Sequence, residues 1–161
     1  MTLTNFPNGI SVGSLTVDGV DIRPQWQIAT KTITFAGGTT NGIGDFDGTG
    51  NPATVFTVTG DVMAVVWGVC SVDLAGATAT VEVGVTGNTA AIIAQTTATD
   101  IDNGDVWRDA TPAVGAEALN DPIFIADGKD VILTVATANV TAGVVRFYCV
   151  WYPISADGAV A

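Results

Sequence analysis

The sequence predicts an all-β fold: an antiparallel two-sheet sandwich, jelly-roll-like, of about eight strands, with an extended N-terminal arm. Three observations carry this. Glutamate and lysine are scarce, each present twice, while Val, Thr, Ile and 19 Gly dominate, which is a strand-and-turn composition. Apolar and polar residues alternate with period two in most segments after Lys31. Short Gly, Asn and Asp clusters separate those segments, as turns require. A closed barrel is the alternative, and the lack of a fixed-period repeat argues against propellers and solenoids.

Residues 1–30 read as an arm. "FPNG", "VDG" and Pro24 are turn signals, and no alternation persists through them. The sandwich domain is predicted over residues 31–161. "KTITFAG" is its first strand, followed by the long turn region "GGTTNGIGDFDGTGNP". "ATVFTVTG" and "DVMAVVWGVCSVDL" form two strands parted at Gly60 and Asp61. In the second, Val62, Ala64, Val66, Gly68, Cys70 and Val72 share one face and Met63, Val65, Trp67, Val69 and Ser71 the other. Both faces are apolar, so this strand is central or covered by another subunit.

"ATATVEVGVTG" alternates with Val81, Val83 and Val85 inward, and "NTAAIIAQT" follows the turn at Gly87 and Asn88. "DIDNGDVWRDATPAVGAEALNDP" reads as a long loop with a short strand around Trp107, and "VGAEAL" admits one helical turn. "PIFIADG", "KDVILTVATANVTAG" and "GVVRFYCVWYPIS" complete the strands. In the last, Val145, Phe147, Cys149 and Trp151 oppose Val144, Arg146, Tyr148, Val150 and Tyr152.

Composition also excludes functions. The 161 residues fit one domain, and 48% hydrophobic content rules out a disordered acidic chain despite a net charge of −11. Five basic residues, Arg23, Lys31, Arg108, Lys129 and Arg146, cannot form a basic stripe, so no nucleic-acid partner is expected. No apolar run approaches the ~20 residues of a spanning helix, and no membrane partner is expected. "MTLTNFPNGIS" has neither a basic nor an apolar signal region, which predicts cytoplasmic synthesis. Cys70 and Cys149 sit in apolar runs and read as small buried hydrophobes, with a disulfide as the alternative.

The chain has no histidine. Serine- or cysteine-based nucleophilic catalysis then lacks its usual base, and two distant cysteines do not close a zinc tetrahedron. No Gly-rich segment carries the Lys-Ser or Lys-Thr of a phosphate loop. The chain is therefore expected not to be an enzyme, the remaining candidate being a carboxylate-dependent hydrolase of the sandwich type. The sharpest local motif is "DFDGTGN", in which Asp45, Asp47, Thr49 and Asn51 resemble half of a calcium loop without its distal glutamate. Its other reading is a pair of Asp-Gly and Gly-Asn turns. "DIDNGD" reads as a tight turn at Asn103-Gly104, with Arg108 paired to Asp105 and Asp109.

Two segments carry a family resemblance. "NFPNGISVGSLTVDG" (Asn5 to Gly19) resembles the N-terminal arm of small virion proteins of tailed bacteriophages, and "NDPIFIADGKDVILTVATANVTAGVVRFYCVWYPIS" (Asn120 to Ser155) is similar to their closing strands. Head decoration, or cement, proteins are of this type. The resemblance implies a homotrimer on the capsid surface that binds the major capsid protein or another virion protein and needs no cofactor. It also implies an arm anchored on a capsid or neighbouring subunit through Phe6, Ile10, Leu15, Val17 and Trp26. The alternatives are an arm packed along its own sandwich, and a tail or head-fibre module that binds a receptor or glycan.

Overall fold

The computed structural model describes residues 15–17, 20–22, 26–39 and 42–161, and the fold is nearly all β. Two three-residue strands come first, β1 (Leu15–Val17) and β2 (Val20–Ile22), followed by β3 (Gln27–Thr34). The succession continues with β4 (Ala53–Phe56), β5 (Val58–Thr59), β6 (Val62–Ala75), β7 (Thr80–Val85) and β8 (Asn88–Thr97). A single 3-10 turn at Ala98–Asp100 leads to β9 (Asp105–Trp107), β10 (Ala113–Val114), β11 (Ile123–Ile125) and β12 (Val131–Ala136). The chain closes with β13 (Ala142–Pro153) and β14 (Ala159–Val160).

These fourteen segments exceed the eight expected, because the turn regions contain two- and three-residue strands too short to show alternation. The helical turn that "VGAEAL" admits does not form: Val114 ends strand β10, and residues 116–119 belong to no regular element. The first sheet strand also starts earlier than the predicted domain boundary, since β3 begins at Gln27 rather than Lys31. Its register with β13 is continuous from Gln27↔Trp151 to Thr34↔Val144, so residues 27–30 are sheet and not arm.

Two sheets face each other. The larger has the order β10-β9-β6-β13-β3, with β11 beside β9 along the same edge of β6. The smaller has the order β4-β12-β7-β8, and every pairing is antiparallel. β5 pairs with β14, and β1 with β2. Between the sheets lies one apolar cluster, with Val62, Ala64, Val66 and Cys70 from β6, Phe147, Cys149 and Trp151 from β13, and Val81, Val83, Leu133 and Val135 from the smaller sheet. Of the set predicted to share one face of β6, Val62, Ala64, Val66, Gly68 and Cys70 face inward. A register shift then turns Val72 outward, where it is half exposed.

Gly68 explains how the core admits its largest residues. A Cβ there would stand 2.7 Å from Val145 Cγ1 and 3.3 Å from Phe147 Cε1, so the missing side chain is the space those two fill. Trp107 packs against Phe147 with ring centroids 5.9 Å apart and donates its Nε1–H to Thr96 Oγ1 at 3.0 Å, which satisfies the one polar atom of a fully buried ring. Cys70 and Cys149 are buried free thiols, as the apolar-run reading expects, and no disulfide joins them.

Both long edges are blunted against further pairing. β8 carries two register irregularities against β7. β3 runs without a bulge but carries an exposed Lys31, whose Nζ donates to Thr54 O of β4 at 2.9 Å.

Candidate binding face

The inward side of the larger sheet is core, and its outward side is unusual. Register places the residues in rows. Phe124, Met63 and Tyr152 form the first, and the Trp26 ring joins its end with centroids 6.0 Å from Tyr152. Val65, Val150 and Ile28 form the second, and Trp67, Tyr148 and Thr30 the third. Val106, Val69, Arg146 and Thr32 follow, and Val72, Val144 and Thr34 end the face. Arg146 is its one charged residue, in a chain of net charge −11. At the flanks the apolar groups are open to solvent: Trp26 is 51% exposed, Ile28 62% and Phe124 56%.

The centre of this face is held together by ring stacking. Trp67 and Tyr148 stack with centroids 5.4 Å apart and planes 10° from parallel. The Arg146 guanidinium lies 5.4 Å from the Tyr148 ring centre, and its Nη2 reaches Thr30 Oγ1 at 3.4 Å. The smaller sheet presents a different surface. Thr54, Thr80, Glu82, Ile132, Thr134 and Ala136 lie on that side, where Thr54 is exposed while Ile132 and the Thr134 Oγ1 are buried. At Gly84 the backbone of Asn88 and Thr89 crosses over the strand, closing part of that surface with the chain's own β8.

No family model matches the chain, and no curated protein or solved structure matches it.

The sequence-predicted anchors fall unevenly. Phe6 and Ile10 lie outside the described residues. Leu15 and Val17 belong to β1, and Trp26 sits at the corner of the face. Sequence reading missed the face as a unit, although it found both outward half-sets, because it did not pair β6 with β13 and β3.

Asp45 and Asn51 of the calcium-loop motif are engaged with the backbone. Asp45 is buried, and its Oδ1 accepts the Gly38 N–H. Asn51 Nδ2 donates to Phe46 O and Val135 O, both at 2.7 Å, while its Oδ1 accepts from Val135 N at 2.9 Å. This amide takes the place of a strand beside β12. Asp47 and Thr49 lie on the turn between them, within residues 46–50. Among the described residues no three His, Cys, Asp or Glu side chains gather as a metal site would require.

The second acidic loop is a turn: Asp105 N–H donates to Asp102 O at 3.0 Å, and Asp105 Oδ2 accepts from Asp102 N at 2.9 Å. Arg108 pairs with Asp109 at 2.9 Å and with Glu117 at 2.7 Å, not with Asp105, whose carboxylate is buried in that turn. Thr111, and then Arg108, hold the Asp109 carboxyl below its ordinary range. Burial pushes the Cys70 thiol up to about 11 and the Cys149 thiol up to about 12, so neither is a nucleophile near neutrality. A shallow hollow of about 300 Å³ beside Phe124 is lined by Val85, Ile125 and Lys129, among others, and holds no acid–base pair.

Proposed function

We propose that this chain is a non-catalytic structural protein of a virion, of the head-decoration type, which attaches to the major capsid protein and to its own copies. The observation that carries the reading is the outward face of the larger sheet, five rows of mainly apolar and aromatic residues, edged by three threonines on β3 and holding one charge, on a strongly acidic chain. Monomeric soluble proteins seldom leave a contiguous apolar surface of this kind uncovered. Stacked aromatics and a flanking arginine are also what well-packed protein contacts favour. The resemblance of the two chain ends to phage virion proteins supplies the assembly.

The alternative glycan-binding reading needs aromatic rings with open faces. Tyr148 is engaged by Trp67 and Arg146, and this favours a protein partner. Co-sedimentation with isolated phage heads that lack the protein tests the proposal. The wild-type chain is expected to pellet with the heads, and Val150→Asp, with its β-sheet circular dichroism intact, to stay in solution. A wild-type chain that never pellets with heads at tens of micromolar would sink the reading.

A further inference from the structure

We infer that the hollow between the β7–β8 turn and the turn after β11 binds a small apolar carboxylate, an alkyl or aryl acid of about ten non-hydrogen atoms. This goes beyond the virion reading, and the hollow shares only the Phe124 ring with the aromatic face.

Backbone bonds set its walls. Thr86 N–H donates to Asp130 O at 3.0 Å, which joins the two turns, and Lys129 N–H donates to Ala126 O at 3.1 Å, which closes the second. Val85, Phe124, Ile125 and Ala126 supply an apolar lining, and Lys129 stands at the rim with Thr86 and Asn88. An apolar lining with a few polar groups is the usual make-up of a small-molecule site, and about 300 Å³ lies at the small end of that range. A space of this size takes one ring or short chain and its headgroup. A folded partner's surface would reach only its rim.

Lys129 decides the headgroup. Of the other described cationic side chains, Lys31 donates to Thr54 O, Arg108 is paired with Asp109 and Glu117, and Arg146 lies over the Tyr148 ring. Among the described residues no hydrogen bond, ion pair or ring contact engages the Lys129 ammonium, on a chain of net charge −11. The two aspartates nearest in sequence are committed elsewhere. Asp127 Oδ1 accepts the Gly60 N–H at 2.8 Å, and Asp130 Oδ1 accepts the Val58 N–H at 3.0 Å. The ammonium lies instead over the opposite turn, 3.6 Å from where a Cβ on Gly87 would stand. Gly87 has φ +93°, which an L side chain rarely adopts, so the place beside the ammonium stays clear. One unpaired ammonium on the rim of an apolar hollow complements one carboxylate whose tail lies on Phe124 and Val85. A phosphate dianion would call for a second cation, and none lines this hollow.

Titration of the full-length chain with two probes, followed by amide chemical shifts in NMR, tests this. 3-Phenylpropanoate is expected to bind the wild type with a Kd of about a millimolar and to shift Gly87, Asn88, Phe124 and Lys129. 3-Phenylpropanamide, of the same shape without the charge, is expected to bind roughly 3- to 5-fold more weakly. The overall charge of −11 repels the acid and not the amide, so a preference for the acid requires a local cation. In Lys129→Met, which keeps the apolar stem, the preference is expected to vanish or invert. Phe124→Ala is expected to weaken both probes roughly 5-fold or more. Both substitutions are at exposed positions, and unchanged shifts elsewhere show that each variant is folded. Equal binding of acid and amide by the wild type, a preference for the acid that survives Lys129→Met, or no shift at these residues with tens of millimolar probe would each overturn the inference. Phage heads take no part in the titration, so its failure and that of the virion reading are separate results.

Discussion

Gly68→Ala is the substitution whose outcome the packing around β6 determines most sharply. Glycine in a strand interior ordinarily costs about 0.5–1 kcal/mol relative to alanine, so local propensity alone predicts stabilisation. The site predicts the reverse. The new methyl would stand 2.7 Å from Val145 Cγ1 and 3.3 Å from the Phe147 ring, and both residues are fully buried, with no solvent side to move toward. Overpacking of this kind costs about 1–3 kcal/mol, which outweighs the propensity gain. A net loss of about 1–2 kcal/mol lowers the melting temperature of a domain this size by roughly 2–8 °C. Val145→Ala removes the clashing methyl and on its own costs about 2–3 kcal/mol as a cavity. In the double variant the new methyl occupies part of that cavity, so the combined loss falls short of the sum by about 1 kcal/mol or more. Urea unfolding of the four proteins measures the cycle. A stable Gly68→Ala protein, or strictly additive losses, would refute the account of Gly68 as the space for Val145 and Phe147.

Thr96→Val keeps the shape at Trp107 but leaves the buried indole N–H without its acceptor, and a loss of about 1–3 kcal/mol is expected in urea unfolding. Asn51→Ala removes the amide that bonds Phe46 and Val135, and is expected to lower the melting temperature equally with calcium and with chelator; a calcium-dependent melting shift in the wild type would restore the metal reading of this loop. Cys70 and Cys149 are expected to resist a thiol reagent at pH 8 until the chain is unfolded. Because their folded pKa values lie above the ordinary 9.0, their effect on stability is nil below about pH 9, and stability falls as pH rises from there toward 12; Cys149→Ala is expected to flatten that fall in pH-dependent melts. Self-association is expected to tighten as salt rises from about 10 to 150 mM, since screening relieves repulsion between copies of charge −11 while an uncharged contact loses nothing; weakening with salt in sedimentation equilibrium would point instead to ion pairing at Arg146.

Most strands were legible because half-buried strands write their alternation into the sequence. Val81 and Val83 were read as inward and are fully buried, and the two outward half-sets of β6 and β13 were separated correctly. What escaped were features set by pairing rather than by pattern. Residues 27–30 lie on an edge strand with one exposed side, so their alternation was weak, and only the register with β13 shows them as sheet. The motif at residues 45–51 looked like a cation loop because carboxylates and amides that cap backbone N–H groups have the composition of ligands. Nothing local shows that Asn51 would meet Val135, 84 residues away. Glu117, the partner of Arg108, was likewise hidden by a loop whose path follows no period.

The two outer surfaces of the sandwich, taken together, constrain function more than either does alone. Each sheet had the same option of finishing its outer side in threonine and charge, and the smaller one takes it in part, with Thr54, Thr80 and Glu82 beside a buried Ile132 and a Thr134 whose Oγ1 is buried. A general lack of charge would have left both sides apolar. The asymmetry instead assigns the apolar groups to the side that β3, β6 and β13 build and where the N-terminal segment enters. The edges argue in the same direction: the irregularities of β8 and the charged, exposed Lys31 on β3 discourage sideways growth at those two edges. On the proposed reading, association runs through the aromatic face, in a direction perpendicular to the strands' hydrogen bonds.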